Sequence, residues 1–495
     1  MAESLISKMC EGAPFDECIN KAFEPIATFV SDIIFYKYNF VVMGSEIGVP
    51  MILAWLAAAS FFLTVYFGFI NIRYFKHGID LVRGKYDNKK DEGELSNFQA
   101  LATCLSGTVG LGNIAGVAVA VSAGGPGAVF WMALMGLFGM STKFAEAALG
   151  VKYRVHPDPS RPDHVLGGPM YYIKAVMTRY GQARFGTFLA FVFAICCIGG
   201  ALGAGNMFQA NQAYQQLVNI TTNDEGLSFW ADKGWLFGCG LAVLVGAVII
   251  GGLHRIAAVS SKIVPFMGGL YLLVGLIVVA MNYQSIPSGF ATIFQMALSP
   301  EAGFGALLGS LLIGVQRAAF SNEAGIGSAA IVHSTARSSS ISQGFVGMLG
   351  PFIDTVVICM VTALVIVMTG EYQTGQGVEG VSLTSRAFES AIPWFPYVLA
   401  LTVFLFAYST MIAWFYYGLS CLTFMTGEKK CVEMAYKIIF CVFVVIGSSS
   451  ALDNIITFSD SILFAMAIPN VIGLYLLAPE LKKDIKKYLK TIDKK

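Results

Sequence analysis

Glycine, serine, threonine and asparagine are concentrated in one segment of an otherwise apolar part of the chain. The segment runs from Ser106 to Gly116, reads SGTVGLGNIAG, and holds four glycines in eleven residues. Each glycine inside a helix costs about 0.5–1 kcal/mol relative to alanine, so this composition is typical of an interrupted helix. The amides and carbonyls that an interruption frees can bind an anion and a cation.

A second apolar stretch is unusually rich in polar side chains. Five of them lie within residues 314–327: Gln316, Arg317, Ser321, Asn322 and Glu323. A charge at the centre of a bilayer costs at least about 2.5–3.5 kcal/mol unless it is paired or hydrated, which excludes a lipid-facing position. The stretch therefore predicts a second interrupted helix. A helix end closed by an Arg317–Glu323 ion pair is the alternative.

The composition places both segments in a membrane protein. Of the 495 residues, 56% are hydrophobic and 13% are charged, whereas soluble domains usually contain about 25% charged residues. The net charge of +1 provides no basic surface for a nucleic acid. The five histidines form no HExxH pair and the chain has no Walker motif, so the sequence favours neither a membrane metalloenzyme nor ATP-driven transport. A channel is disfavoured because the polar residues cluster at the two breaks instead of forming a continuous lining.

The apolar runs predict an all-α polytopic protein with eleven transmembrane helices, since about 20 residues span a bilayer. The runs lie near residues 49–70, 98–121, 127–150, 186–217, 235–252, 256–281, 304–332, 345–368, 396–424, 432–449 and 459–478. If the N-terminus is outside, the cytoplasmic regions hold 25 Lys and Arg residues and the outer regions hold 5. This asymmetry indicates an outside N-terminus and a basic cytoplasmic tail at 479–495.

The two interrupted helices are the second and the seventh of these spans. Because they are five spans apart, they cross in opposite directions, which predicts a 5+5 inverted repeat. Residues 96–282 and 303–478 would be the two repeats, 48–70 an extra helix, and 1–47 an extracytoplasmic segment with an amphipathic helix over 23–38. Helix N-termini meeting at the midplane favour a carboxylate, and unwound carbonyls favour a small hard cation. A zwitterionic amino acid together with Na⁺ satisfies both.

The sequence resembles the alanine or glycine:cation symporters, the sodium:alanine symporter family. The motifs that carry the resemblance are those at Thr108–Ala118, Gly124–Gly127, Met140–Glu146, Gly167–Tyr172, Gly205–Asn211, Phe320–Ser328 and Phe352–Thr355. The resemblance implies a leucine-transporter-type inverted-repeat fold, a monomer in a bacterial inner membrane, and Na⁺ as the coupling ion. It also implies uptake of L-alanine, glycine and D-alanine, with glutamine or another neutral amino acid and H⁺ coupling as the alternative.

The first break supplies candidate ligands for the substrate carboxylate. The amides concerned are those of Gly107, Thr108, Leu111 and Gly112, and close helix packing is the alternative role for the glycines. Asn113 would brace the break or coordinate an ion.

Side chains from other spans would complete the substrate site. Gln209 can hydrogen-bond the substrate or join helices, and Gln316 and Phe320, with Ser321 and Asn322 beside them, would form the half of the site next to the second break. Trp414 would wall the pocket, with core packing as the alternative.

The resemblance implies a Na⁺ site formed by the hydroxyls of Ser409 and Thr410 and the carbonyls of Ser106 and Val109. Hydroxyls in a helix commonly bond back to the preceding turn, which is the alternative for the first two residues.

Other charged and thiol groups carry weaker predictions. Arg317 requires an acidic partner, for which Glu323 and Asp354 are the candidates. Asp354 and the Lys143–Glu146 pair are expected in a packing or gating network at inner helix ends, with substrate coupling as the alternative. Cys10 and Cys18 would form a disulfide or remain two free thiols.

Overall fold

The computed structural model describes residues 15–42, 45–86, 92–161, 163–222, 226–298, 304–374 and 380–492, and most of these are helical. The α-helices of the first part of the chain are α1 Phe15–Ile34, α2 Met51–Tyr66, α3 Ile70–Arg73, α4 Phe75–Val82, α5 Asn97–Thr108, α6 Ala115–Gly124, α7 Gly127–Lys152, α8 Pro169–Arg179, α9 Ala183–Leu202, α10 Phe208–Thr221, α11 Gly234–Ile249, α12 Gly252–Met281 and α13 Ile286–Leu298.

The remaining helices complete the bundle. They are α14 Phe304–Asn322, α15 Ser328–His333, α16 Ser340–Gly347, α17 Leu349–Pro351, α18 Met360–Thr369, α19 Glu371–Thr374, α20 Val381–Glu389, α21 Phe395–Thr426, α22 Lys430–Ser449, α23 Leu452–Ala465 and α24 Ala467–Ile492. Among the described residues, two π-helical turns, Gly203–Met207 and Phe352–Cys359, and two 3₁₀ turns, Leu111–Asn113 and Tyr283–Ser285, interrupt or join them.

Membrane-spanning capacity follows from length and hydropathy. Within the described ranges, seven helical segments are long and apolar enough to cross a bilayer, and the bent pair α5–α6 makes an eighth if it counts as one span. The apolar helices α2 and α11 are shorter, with 16 residues each. Each of the eleven predicted runs coincides with a helix or helix pair, and the number that crosses the membrane stays a prediction.

The N-terminal segment differs from the prediction in its boundaries and its content. The helix expected over 23–38 spans Phe15–Ile34, and an antiparallel hairpin that the sequence pattern did not indicate follows it, with Lys37–Val42 paired to Ser45–Pro50. One side of α1 packs on α23, where the rings of Phe35 and Phe464 lie 5.7 Å apart. Cys10 lies outside the described residues, so the disulfide remains a prediction.

Glycines bring several pairs of helices into backbone contact, of which two matter for the site. A Cβ on Gly238 of α11 would lie 2.7 Å from the Val445 Cα of α22, and a Cβ on Gly314 of α14 would lie 2.6 Å from the Ala128 carbonyl oxygen of α7. Such distances are too short for any side chain, so glycine is what permits these helices to pack so closely.

Candidate functional site

The first predicted break is present between α5 and α6, whose axes differ by 58°. The Gly110 N–H would continue the helix by donating to the Ser106 carbonyl, but it donates to Asn113 Oδ1 at 3.0 Å and to the Thr108 carbonyl at 2.9 Å. The Ser106 carbonyl is thereby left without its helical partner. Asn113 thus braces the break, one of the roles predicted for it.

The second break lies between α14 and α15, from Glu323 to Gly327. Glu323, Gly325 and Gly327 have φ angles of +56°, +90° and +95°. The left-handed conformation is easy for glycine but strained for glutamate, and such strain is concentrated at functional sites. The chain is therefore held in an unfavourable conformation where a charged side chain meets the break.

A narrow cavity of about 10 Å³, roughly the space of one water molecule, lies between the two breaks. Its lining residues are Gly107, Thr108, Gly110, Gly112, Ala204, Gln209, Phe320, Glu323, Trp414 and Leu463. Six of the eight residues predicted to bind substrate line it: Gly107, Thr108, Gly112, Gln209, Phe320 and Trp414. Leu111 is adjacent, because its N–H donates to Gln209 Oε1 at 3.0 Å. The two halves of the predicted site therefore meet.

Trp414 and Glu323 form one wall of the cavity together. Trp414 Nε1 donates to Glu323 Oε1 at 3.1 Å, and the Ser328 hydroxyl donates to Glu323 Oε2. The π-helical turn opposite brings Gly205 so close that a Cβ there would lie 2.2 Å from Trp414 Cγ. The sequence analysis predicts Glu323 only as an ion-pair partner of Arg317. Its position in a polar run inside an apolar span could have identified it as a residue of the binding site.

Gln316 and Arg317 lie away from the cavity. Gln316 Nε2 donates to Asp460 Oδ2 at 2.8 Å, and Arg317 forms a buried ion pair with the same carboxylate. The expectation that Arg317 pairs with Glu323 or Asp354 is therefore wrong. Asp460 belongs to α23 and lies 143 residues after Arg317 in the chain, so only the tertiary fold brings the two together.

Asp354 connects the two breaks. Its Oδ1 accepts a hydrogen bond from Asn113 Nδ2 at 2.6 Å, and its Oδ2 accepts hydrogen bonds at 2.8 Å from the hydroxyls of Ser321 and Thr355. The neighbouring Asn322 donates to Thr355 Oγ1 at 2.9 Å. Ser321 and Asn322 thus bind the π-helical turn, and Asp354 joins both breaks instead of lying at an inner helix end.

The four residues expected to bind Na⁺ lie where α5 faces α21. Ser106 Oγ donates to the Ser409 carbonyl at 2.7 Å, and Ser409 Oγ donates back to the Phe406 carbonyl at 3.1 Å. Thr410 Oγ1 is buried and has no hydrogen-bond partner within the described residues. A Cβ on Gly110 would lie 2.5 Å from this oxygen, so the break approaches Thr410 closely. Val109, which ends α5, is also buried.

The Lys143–Glu146 pair of α7 is completely buried. Glu146 Oε1 accepts hydrogen bonds from the Gly325 N–H at 2.9 Å and from Asn470 Nδ2 at 2.8 Å. Glu146 therefore holds the loop of the second break against α24.

Comparisons with known proteins agree with this architecture. The model of the sodium:alanine symporter family matches residues 34–495. The sodium/alanine symporter AgcS of Methanococcus maripaludis is 38% identical over 87% of this chain and 92% of its own length. The amino-acid carrier protein AlsT of Bacillus subtilis is 35% identical over 90% and 92%. The probable sodium/glutamine symporter GlnT of the same organism is 30% identical over 88% and 87%.

A solved structure shares the fold. The crystal structure of MhsT in complex with L-phenylalanine matches with a TM-score of 0.52 and 14% identity, over 78% of this chain and 96% of that one. At this identity the likeness shows the fold alone, and it supports the predicted fold class.

Proposed function

This chain belongs to the sodium:alanine symporter family, a family of Na⁺-coupled amino acid transporters, and we propose from this premise that it imports L-alanine and glycine. D-Alanine is a third proposed substrate. Transport is driven by the inward Na⁺ gradient and proceeds by alternating access around the two breaks.

The narrowness of the cavity carries this proposal. Trp414, Phe320 and Leu463 wall the space between the breaks, and in this conformation that space is only about 10 Å³. The walls must open for any amino acid, and a hydrogen or methyl side chain requires the least opening. A flat wall of rings also distinguishes two enantiomers of alanine poorly, because their side chains differ only in the direction of one methyl group.

The charged groups of the substrate have complementary partners on the two sides of the cavity. The amides of Gly107, Thr108 and Gly112 are proposed to bind the carboxylate, with Gln209 holding the Leu111 amide in place. Glu323 is the anionic group of the lining and is proposed to accept a hydrogen bond from the substrate ammonium. Gln316 does not line the cavity and is not included in this site.

Na⁺ is proposed to bind between α5 and α21, coordinated by the carbonyls of Ser106 and Val109 and the hydroxyls of Ser409 and Thr410. Hard cations prefer oxygen ligands. The free carbonyl of Ser106 and the unpartnered hydroxyl of Thr410 support this choice. The site adjoins the first break, so bound Na⁺ would stabilise the conformation that binds substrate.

Glutamine is the main alternative substrate, because a relative of similar length is described as a probable sodium/glutamine symporter. H⁺ is the alternative coupling ion. We further propose a bacterial inner-membrane location with the N-terminus outside and the C-terminus cytoplasmic, from the distribution of Lys and Arg, and a monomeric protein.

Uptake of labelled L-alanine into proteoliposomes tests the proposal. We expect uptake above equilibrium with an inward Na⁺ gradient and none with choline in its place, and competition by glycine and D-alanine. Equal uptake in both salts would contradict Na⁺ coupling. Competition by glutamine but not by glycine would indicate that glutamine, the alternative substrate, is the one transported.

A further inference from the structure

The buried charges of the described core do not balance. Six ionisable acidic or basic side chains other than histidine are buried there: Lys143, Glu146, Arg317, Glu323, Asp354 and Asp460. Arg317 and Asp460 neutralise each other as an ion pair. The remaining groups are one lysine and three carboxylates, so their formal charge is −2 when all are ionised. Uncompensated buried charge is strongly unfavourable, so this region requires two further positive charges.

One of those charges is supplied by the Na⁺ of the proposed function, on which this inference rests. The amino acid substrate contributes no net charge, because its ammonium and carboxylate cancel. One negative charge therefore remains when Na⁺ and substrate are bound. The local hydrogen bonds indicate which carboxylate takes the second positive charge.

Two of the three carboxylates have hydrogen-bond donors on both oxygens. Asp354 accepts from Asn113, Ser321 and Thr355, and Glu323 accepts from Trp414 and Ser328. Donors directed at both oxygens favour the ionised form of a carboxylate.

Glu146 differs from both. Its Oε1 accepts two hydrogen bonds, while its Oε2 is buried without a hydrogen-bond partner in the described residues. One helical turn earlier, the buried Nζ of Lys143 also has no such partner there. Residues three apart lie on the same helix face, so the two unpartnered atoms belong to one side of α7.

We propose that Glu146 is a proton-binding site: its Oε2 carries one H⁺ when Na⁺ is bound, and Na⁺ affinity is linked to this protonation. The proton comes from the aqueous phase and returns to it, and the Glu146 carboxylate changes from −1 to 0 when the O–H bond forms. A proton requires only the one unpartnered oxygen, whereas a metal cation requires a shell of several oxygen ligands. Since Glu146 also holds the Gly325 amide, the protonation state acts directly on the second break.

Other ionisable groups interact electrostatically with this pair from the surrounding elements. They are Cys104 of α5, Tyr172 of α8, Glu323, His333 of α15 and Asp354. His333 Nδ1 lies 2.6 Å from the amide nitrogen of Gln343. The Glu146 variants below test whether the proton is on Glu146 and not on one of the two other carboxylates.

The sign of the linkage follows from charge. Removal of the proton makes the core more negative and strengthens Na⁺ binding, so the half-saturating Na⁺ concentration falls as pH rises. One linked proton changes that concentration by at most about tenfold per pH unit. Glu146→Gln keeps an oxygen for the Gly325 N–H but stays neutral, so it mimics the protonated form at every pH.

The experiment measures the Na⁺ dependence of alanine uptake in proteoliposomes from pH 5.5 to 8.5. We expect the half-saturating Na⁺ concentration of the wild type to fall at least threefold over this range. The Glu146→Gln variant should stay near the low-pH value throughout. Glu480→Gln is the matched control, because Glu480 belongs to α24 and pairs with the surface Lys152 and Arg179, so it should keep the wild-type profile.

Infrared spectroscopy of the purified protein provides a readout that does not require transport. Na⁺-loaded wild type should show the band of a buried protonated carboxyl group, absent in Glu146→Gln and shifted in Glu146→Asp. If Glu146→Gln does not fold, the shift in Glu146→Asp and the pH titration of the wild-type band still test the proposal. The proposal would be overturned if the Na⁺ affinity of the wild type did not depend on pH, or if the wild type showed no infrared band of a protonated carboxyl group. It would also be overturned if Glu146→Gln kept either this band or the wild-type dependence of Na⁺ affinity on pH. Absence of Na⁺-dependent uptake in the wild type would instead contradict the proposed function.

Discussion

Replacement of Thr410 by valine should weaken Na⁺ binding without weakening the fold. Valine has nearly the same shape as threonine, so Thr410→Val exchanges the hydroxyl for a methyl group and creates no cavity. The hydroxyl oxygen is buried and has no hydrogen-bond partner in the described core. In the sodium-free protein it therefore contributes an unfavourable term, which the substitution removes.

The expected magnitude follows from that unmade hydrogen bond. A buried polar group without a partner costs about 1–3 kcal/mol. The sodium-free variant should thus unfold with a free energy equal to that of the wild type or higher by up to about 3 kcal/mol. In the wild type, coordination of Na⁺ by the hydroxyl removes this cost of about 1–3 kcal/mol and so strengthens Na⁺ binding by the same amount. The variant has no hydroxyl and lacks this contribution. At 1.4 kcal/mol per factor of ten, the half-saturating Na⁺ concentration should rise roughly 5- to 150-fold.

Thr402→Val is the matched control. Thr402 is also buried in α21, but its hydroxyl donates to the Leu399 carbonyl at 2.9 Å. Its replacement should cost about 1 kcal/mol of stability and leave the Na⁺ dependence unchanged. Thermal denaturation in detergent and Na⁺-dependent uptake measure the two properties. The reasoning is refuted if Thr410→Val keeps the wild-type Na⁺ dependence, or if it destabilises the protein as much as Thr402→Val does.

Three further substitutions test the cavity and its supports. Glu323→Gln should raise the KM for alanine about 10- to 150-fold, because a charge-assisted hydrogen bond is worth about 1.5–3 kcal/mol; an unchanged KM in uptake kinetics would remove Glu323 from the substrate site. Gly205→Ala should displace Trp414, since the added Cβ would lie 2.2 Å from the indole. Overpacking should lower stability by about 1–3 kcal/mol, and the displaced indole should raise the KM for alanine. If both stability and KM were unchanged, the role given to this contact would be contradicted. Asp460→Asn should lower stability by about 3–5 kcal/mol because the buried Arg317 loses its counter-charge; a melting temperature equal to that of the wild type would show that the pair is not a support.

The parts of the fold that depend on local composition were predictable from the sequence. Apolar runs located the helices, and the glycines near Gly110 and the polar cluster near Glu323 located both breaks. Gly107, Gln209, Phe320 and Trp414 line one cavity, which is the arrangement expected if an inverted repeat brings the two breaks together. The orientation of the chain and the number of crossings depend on a bilayer and stay predictions.

Features that depend on tertiary packing could not be predicted in this way. Asp460 is far from Arg317 in the chain, and nothing in the local pattern of either residue identifies the other as its partner. Gln316 adjoins Arg317 on the same helix, so the position of α23 also determines where its amide is directed. The left-handed conformation of Glu323 is similarly hidden, because the sequence pattern favours glycine at such positions.

The glycine contacts between helices indicate which helices move together as rigid bodies. Gly238 fixes α11 to α22 and Gly314 fixes α14 to α7 through backbone contact, and neither surface can slide without a clash. Each pair should therefore behave as a rigid body. By contrast, α5 and α21 meet through side chains: Gly107 faces the Tyr417 ring, and Ser106 donates an exchangeable hydrogen bond to the Ser409 carbonyl. Relative movement during the transport cycle is thus expected at the surface between α5 and α21. The proposed Na⁺ site lies at the same surface, so one bound Na⁺ would hold these two helices together and release them when it dissociates.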